Sequence, residues 1–140
     1  MLRIELQDWE QARAEASRIR LEVFVEEQRV PAEIEMDAND AVSVHALAYD
    51  DGKAVGTGRL LPDGHIGRMA VLREHRARGV GGAILTRLVA EARRLGMRDV
   101  VLSAQTHALE FYRKHGFAPS GGVYMEAGIP HQEMRLGLHS

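Results

Sequence analysis

Arg76-Ala77-Arg78-Gly79-Val80-Gly81-Gly82 stands between a short apolar stretch, residues 65–71, and a long run of residues with helical spacing. A glycine-rich turn in that place leaves successive backbone N–H groups bare and aimed one way. The N-terminus of the helix behind it adds a partial positive charge. Arg76 and Arg78 add two full charges. The stretch reads as a phosphate cradle joining a strand to a helix, and its flanks set the fold class.

Upstream, residues 44–49, 54–61 and 65–71 read as three strands. Asp51-Gly52 and Pro62-Asp63-Gly64 are tight-turn signals between them, so the three form an antiparallel meander. Residues 1–6 alternate through Leu2, Ile4 and Leu6 as a first strand. Asp8 can cap a helix from Glu10 to about Phe24, with Ala12, Ala16, Ile19 and Val23 on one stripe. Residues 25–40 are less regular. Pro31 and the acids Glu33, Glu35, Asp37 and Asp40 mark a solvated loop with a short helical turn, or one that favours basic amines if it lines a pocket.

Downstream, residues 79–95 place Ile84, Leu85, Leu88, Val89, Ala92 and Leu95 at helical spacing, and Gly96 closes that helix. Residues 99–103 are a short buried strand. A β-helix-β crossover of this length makes it parallel to the strand ending at Val71. Residues 106–115 read as a second helix ended by Gly116. Residues 117–123 and 131–136 form a last strand pair, linked by a loop with Gly128 and Pro130. The expectation is a single α+β domain over residues 1–140. Its central sheet is mixed and mostly antiparallel, with helices on both faces.

Composition narrows the function. The chain has 140 residues, 45% hydrophobic and 27% charged, with a formal net charge of −2. That balance does not suggest a nucleic-acid binder. The absence of cysteine removes disulfides, thiolate metal sites and a cysteine nucleophile. The seven histidines lack metal-site spacing, so no metal is expected. No apolar run approaches the roughly 20 residues that cross a bilayer, and no leader is visible, so a cytoplasmic protein is expected.

Three phosphate-binding loops compete for residues 76–82. A P-loop ends in Gly-Lys-Ser/Thr, which Gly81-Gly82-Ala83 lacks. A dinucleotide loop needs a small third residue, and Ile84 is bulky. The third pattern, Arg/Gln-x-x-Gly-x-Gly/Ala, is matched by Arg76, Gly79 and Gly81. It resembles the pyrophosphate loop of the GNAT acetyltransferases. Downstream, 105–117 is similar to a second GNAT signature, Asn-x-x-Ala-x-x-x-Tyr-x-x-x-Gly-Phe, carried here by Ala108, Tyr112, Gly116 and Phe117. Gln105 departs from its first position. Arg20, 23–28, Asp37, Asp40, His45, 56–59, 66–71 and 126–131 resemble the ElaA-like branch.

The resemblance implies the acyl-CoA N-acyltransferase fold and acetyl-CoA as co-substrate. It implies a bulged strand 66–71 splayed from 99–103, with the backbone of Met69, Ala70 and Val71 pairing with the pantetheine arm. An N–H there would face the thioester oxygen, whose charge grows in the tetrahedral intermediate. The backbone of Arg76, Ala77, Arg78, Gly79, Val80, Gly81 and Gly82 would hold the pyrophosphate, with Ala108 and Tyr112 beside the cofactor. Gly79 and Gly81 should then matter more than either arginine charge.

The resemblance puts Tyr112 beside the sulfur, where a phenol can protonate the leaving thiolate. The base that deprotonates the acceptor ammonium is left among Glu126, His131, His65, His45 and Glu27, or to water. The 126–131 run favours Glu126 and His131. The implied activity is acetyl transfer to a primary amine of a small molecule or peptide. A non-catalytic acyl-CoA sensor is the alternative. Family members are often dimers, so a homodimer is admitted, although no patch in the sequence marks its interface.

Overall fold

In the computed structural model, which describes residues 1–30 and 37–138, the meander is present nearly as the turn signals imply. Strand β1 is Leu2–Gln7, β2 Val44–Asp50, β3 Lys53–Leu60 and β4 His65–Val71. Asp51 and Gly52, at φ 51° and 86°, make the left-handed pair that closes the β2–β3 hairpin. Strands β5 (Asp99–Gln105), β6 (Ala118–Glu126) and β7 (Ile129–Gly137) complete one seven-stranded sheet, in the order β1-β2-β3-β4-β5-β7-β6. Only β4 and β5 pair in parallel; every other pair is antiparallel.

The centre of the sheet is covered on both faces because strands such as β2 and β3 are buried on both. Along β2, Leu47 packs with helix α1 (Trp9–Arg20), whereas Ala46 and Ala48 pack with helix α2 (Val80–Arg94). This is the two-residue alternation of a strand. The α1 stripe Ala12, Ala16 and Ile19 is fully buried, as are Ile84, Leu85, Leu88 and Ala92 of α2. Gly56 and Gly58 let α2 lie directly on β3. A Cβ at either would stand 2.9 Å from an Ile84 methyl, closer than such atoms pack.

Asp8 caps α1 by accepting from the Gln11 N–H at 2.9 Å, and the Gln11 side chain returns the bond in a capping box. The helix does not stop near Phe24. It widens into a π-helical segment, Leu21–Glu27, where Gln28 N–H donates to the Val23 carbonyl. Residues 25–27 are therefore helical rather than loop. Ala38–Val42 forms a 3-10 turn, while Pro31, Glu33 and Glu35 lie outside the described residues.

The other departures are at the C-terminal end. β5 runs past Ser103 to Gln105. The segment at 106–115 is a 3-10 turn, Thr106–Ala108, followed by the short helix α3, Leu109–Lys114. Between β6 and β7 there is no loop. Ala127 and Gly128, at φ 52° and 77°, turn the chain in two residues, and Pro130 sits inside β7 opposite Met125. Glu126 and His131 are thus strand residues held in register. Among the described residues, no helix is long and apolar enough to cross a membrane.

Candidate active site

The site begins where the sheet comes apart. β4 and β5 pair only at His65↔Val101 and Ile66↔Leu102. Beyond those two rungs the strands diverge. β4 also changes register against β3, since Thr57 faces Ala70 but Arg59 faces Gly67. One extra residue is therefore inserted between Gly67 and Ala70, a β-bulge that turns the backbone outward. Arg68 takes the left-handed conformation there, at φ 50°. A cleft of about 1110 Å³ occupies the splay, walled on the β4 side by Met69, Ala70 and Val71.

At one end of the cleft lies the glycine turn. Ala77 and Gly79 are left-handed, at φ 63° and 81°, whereas Arg76 is at −72°. A turn with alternate residues left-handed can aim successive N–H groups at one point, as an anion-binding nest does. The first bond into α2 is Ala83 N–H to the Gly79 carbonyl at 3.0 Å, so the N–H groups just before it have no place in the helix ladder. Ala77, Gly79, Val80, Gly81 and Gly82 all line the cleft.

Of the two arginines of the turn, Arg76 is not the free charge the sequence suggests. Arg76 makes a bidentate pair with Glu27, both bonds 2.7 Å, and its Nε donates to the Val71 carbonyl at 2.9 Å. These bonds hold the Glu27 carboxyl below its ordinary range. Arg76 thus straps the turn to the π-helical segment, and Glu27 is committed as its partner rather than free as a base. Arg78 is exposed and outside the residues lining the cleft.

The opposite wall comes from β5, α3 and the β6–β7 hairpin. Tyr112 of α3 is half-buried, edge-on to Phe111 and Phe117, and lines the cleft beside Ala108. Burial pushes its phenol up to about 12, so it stays a proton donor at neutral pH. Gln105, the departure from the family signature, exchanges two hydrogen bonds with Gln28, which caps the π-helical segment, at 3.0 and 3.4 Å. That bridge joins the two walls.

His131 and Glu126 meet at the cleft. His131 is buried, its Nδ1–H donates to the Ile129 carbonyl at 2.7 Å, and its Nε2 is left 3.5 Å from Glu126 Oε2. Glu126 also accepts from Ser103 Oγ at 3.4 Å, and Ser103 shares a short hydrogen bond with the Tyr124 hydroxyl. The ring of Tyr124 stacks on His131. Ser103 and Tyr124 were not singled out from the sequence. Their only sequence signal is alternation: Ser103 interrupts buried β5, and Tyr124 stands directly opposite His131 in the hairpin.

The remaining base candidates are committed to other partners. His65 is on the cleft wall but pairs with Asp63 at 3.0 Å. His45 is fully buried beside Trp9, its Nε2 donates to the Asp40 carbonyl at 2.8 Å, and burial lowers its affinity for a second proton.

The acid cluster read from the sequence as a loop is also different. Asp40 is buried, and both its oxygens accept from Arg20 Nη1 at 2.9 Å. Arg59 bonds Asp40 at 2.9 Å and Asp37 at 2.8 and 3.1 Å, and Arg68 bonds Asp37 at 3.1 Å. The Arg59 bonds keep the Asp37 carboxyl below its ordinary range. Asp37 and Asp40 thus belong to an internal charge chain, Arg20–Asp40–Arg59–Asp37–Arg68, rather than to a solvated face.

Comparison with known proteins agrees with this geometry. Residues 9–138 match the family model of the acetyltransferase (GNAT) domain. The uncharacterized N-acetyltransferase YjcF of Bacillus subtilis is 45% identical over 120 residues, 83% of this chain and 86% of that one. An acyl-CoA N-acyltransferase from Pseudomonas aeruginosa superposes with a TM-score of 0.86 at 32% identity, over 98% of this chain and 100% of its own. Escherichia coli ElaA superposes at 0.85 and 28% identity, over 97% and 99% of the two chains.

Proposed function

Because this chain belongs to the GNAT acetyltransferase family and its ElaA-like branch, and so uses an acyl-CoA co-substrate, we propose that it moves an acetyl group from acetyl-CoA directly to a primary amine of a small molecule or peptide. The observation that carries this reading is the single cleft at the β4–β5 splay. It has an anion nest at one end and both a phenol and a His–carboxylate pair on its walls.

Each group has a role in a direct displacement. The turn 76–82 holds the pyrophosphate through backbone N–H groups, and the freed edge of β4 at Met69–Val71 receives the pantetheine arm. A backbone N–H at the bulge faces the thioester oxygen and stabilises the charge that grows there. His131 Nε2, with Glu126 beside it, takes a proton from the incoming ammonium. The free amine then forms the C–N bond, the C–S bond breaks, and the Tyr112 hydroxyl passes its proton to the departing sulfur. The nitrogen, cationic once the C–N bond has formed, gives up its second proton through solvent to the Tyr112 phenolate, and His131 releases the first to water. No cysteine exists to carry an acyl-enzyme, in keeping with attack by the amine itself.

The decisive experiment is release of free thiol from acetyl-CoA across a panel of polyamines, amino acids, aminoglycosides, arylamines and peptides, beside thermal stabilisation by coenzyme A and by NAD. Amine-dependent thiol release with stabilisation by coenzyme A alone supports the reading. Stabilisation by coenzyme A with no release from any amine makes the protein an acyl-CoA sensor instead. Equal stabilisation by NAD overturns the loop assignment.

His131→Gln should lower kcat/KM roughly a hundredfold at neutral pH. The deficit should shrink as pH approaches the amine's own pKa of about 10, where solvent supplies free amine without help. A deficit constant across pH would remove the base role from His131.

A further inference from the structure

We propose that Asp37 is a positioning residue for acyl transfer: through Arg68 it holds the β4 bulge in the conformation that presents the Met69 and Ala70 backbone to the cleft. The inference rests on the reading above, in which a bulge N–H faces the thioester oxygen.

Arg68 occupies a left-handed conformation, at φ 50°, that a side chain bearing Cβ resists. A glycine is available one position earlier, and Gly67 is not among the residues with positive φ. The strained geometry therefore sits on the residue with the long charged side chain, beside one that would adopt it freely. The bulge also lacks support from β5, because the pairing of the two strands ends at Ile66 and Leu102.

The Arg68 side chain supplies the missing restraint. Its Nη2 donates to Asp37 Oδ2 at 3.1 Å. Asp37 is fixed in turn, since its Oδ1 accepts from the Asn39 N–H at 3.0 Å and both its oxygens take the Arg59 fork. Arg59 is secured by Asp40, and Asp40 by Arg20, whose side chain has no exposed surface. The chain of alternating charge thus runs from the floor of α1 to the bulge. Its inner members cannot part without leaving a buried charge unpaired.

The test is a double-mutant cycle in the full chain, read as kcat with the best amine of the panel. It is accompanied by the affinity for coenzyme A and by the amide signals of Met69 and Ala70 in a 15N–1H spectrum. Arg68→Ala loses the tether yet keeps the resistance to positive φ, so kcat should fall roughly tenfold. Arg68→Gly loses the tether and the resistance together, and should fall clearly less than Arg68→Ala. Asp37→Asn should cost about as much as Arg68→Ala when Arg68 is present and much less when residue 68 is glycine. Coenzyme A affinity should fall less than kcat, because the pyrophosphate turn is untouched and only the pantetheine contacts at Met69 and Ala70 are disturbed.

Equal losses from Asp37→Asn in both backgrounds, or Met69 and Ala70 signals that do not move in Asp37→Asn, overturn the positioning role. If Asp37→Asn does not fold, the Arg68 pair decides alone, and Arg68→Gly falling as far as Arg68→Ala is then the overturning result. Signals that move as expected while kcat stays constant support the restraint on the bulge and overturn instead the assignment of its N–H to the thioester oxygen.

Discussion

Gly81→Asp should abolish binding of coenzyme A at working concentrations while the protein stays folded. A Cβ at position 81 would find the Phe111 ring at 3.5 Å, an ordinary contact, so the fold has room for the side chain. The carboxylate, however, would lie on the first turn of α2, among the N–H groups assigned to the pyrophosphate. Two like charges about 4 Å apart at an effective dielectric near 20 repel by about 4 kcal/mol. That corresponds to roughly a thousandfold in affinity. Titration calorimetry with coenzyme A, paired with a melting curve, measures both halves of the expectation. Gly81→Ala, without the charge, should weaken binding far less. Affinity within tenfold of the parent in Gly81→Asp removes the turn from the cofactor site.

Tyr112→Phe should lower kcat about a thousandfold, within the range of a lost general acid, with coenzyme A affinity nearly intact. The ring keeps its packing on Phe111 and Phe117, and only the hydroxyl goes. No partner for that hydroxyl is found among the described residues, so its removal breaks no internal bond. Burial pushes the phenol up to about 12. The donor form therefore persists well above neutrality, and no loss of kcat from this group is expected below about pH 10. The sign for stability follows. Below the unfolded value of about 10 the phenol is neutral in both states and contributes no pH dependence. As pH rises from there through about 12, the unfolded chain releases its proton first, and folded stability falls. Tyr112→Phe should lack that part of the alkaline decline. Unchanged kcat in this variant would give the leaving thiolate another proton source.

The elements that were legible in the sequence are those set by neighbours along the chain. The Asp8 cap, the Ala12–Ala16–Ile19 stripe, the Asp51-Gly52 hairpin and the closing Gly96 are all local signals. The glycine turn belongs with them, because left-handed φ and bare N–H groups are backbone properties a few residues long. The π-helical widening was not legible. It arises where Phe24, Glu27 and Gln28 face the cleft, and its bonds to Arg76 and Gln105 join residues 49 and 77 positions apart. In the sequence the 126–131 hairpin reads as a loop, because proline usually breaks strands. The Pro130 position beside a two-residue turn escapes that rule.

Charge shows the same division. Asp37, Asp40, Arg20, Arg59 and Arg68 could be named individually from the sequence. Asp37 and Asp40 then looked like two members of an acidic loop, because pairing partners 20 and 31 residues away leave no mark on local composition. The sequence by itself determined most of the elements, the glycine turn and the family they imply, since periodicity, turn chemistry and glycine spacing act over a few residues. Only the tertiary structure decided which charges are spent on each other and which wall Tyr112 and His131 share. Burial and long-range pairing depend on where distant segments come to rest.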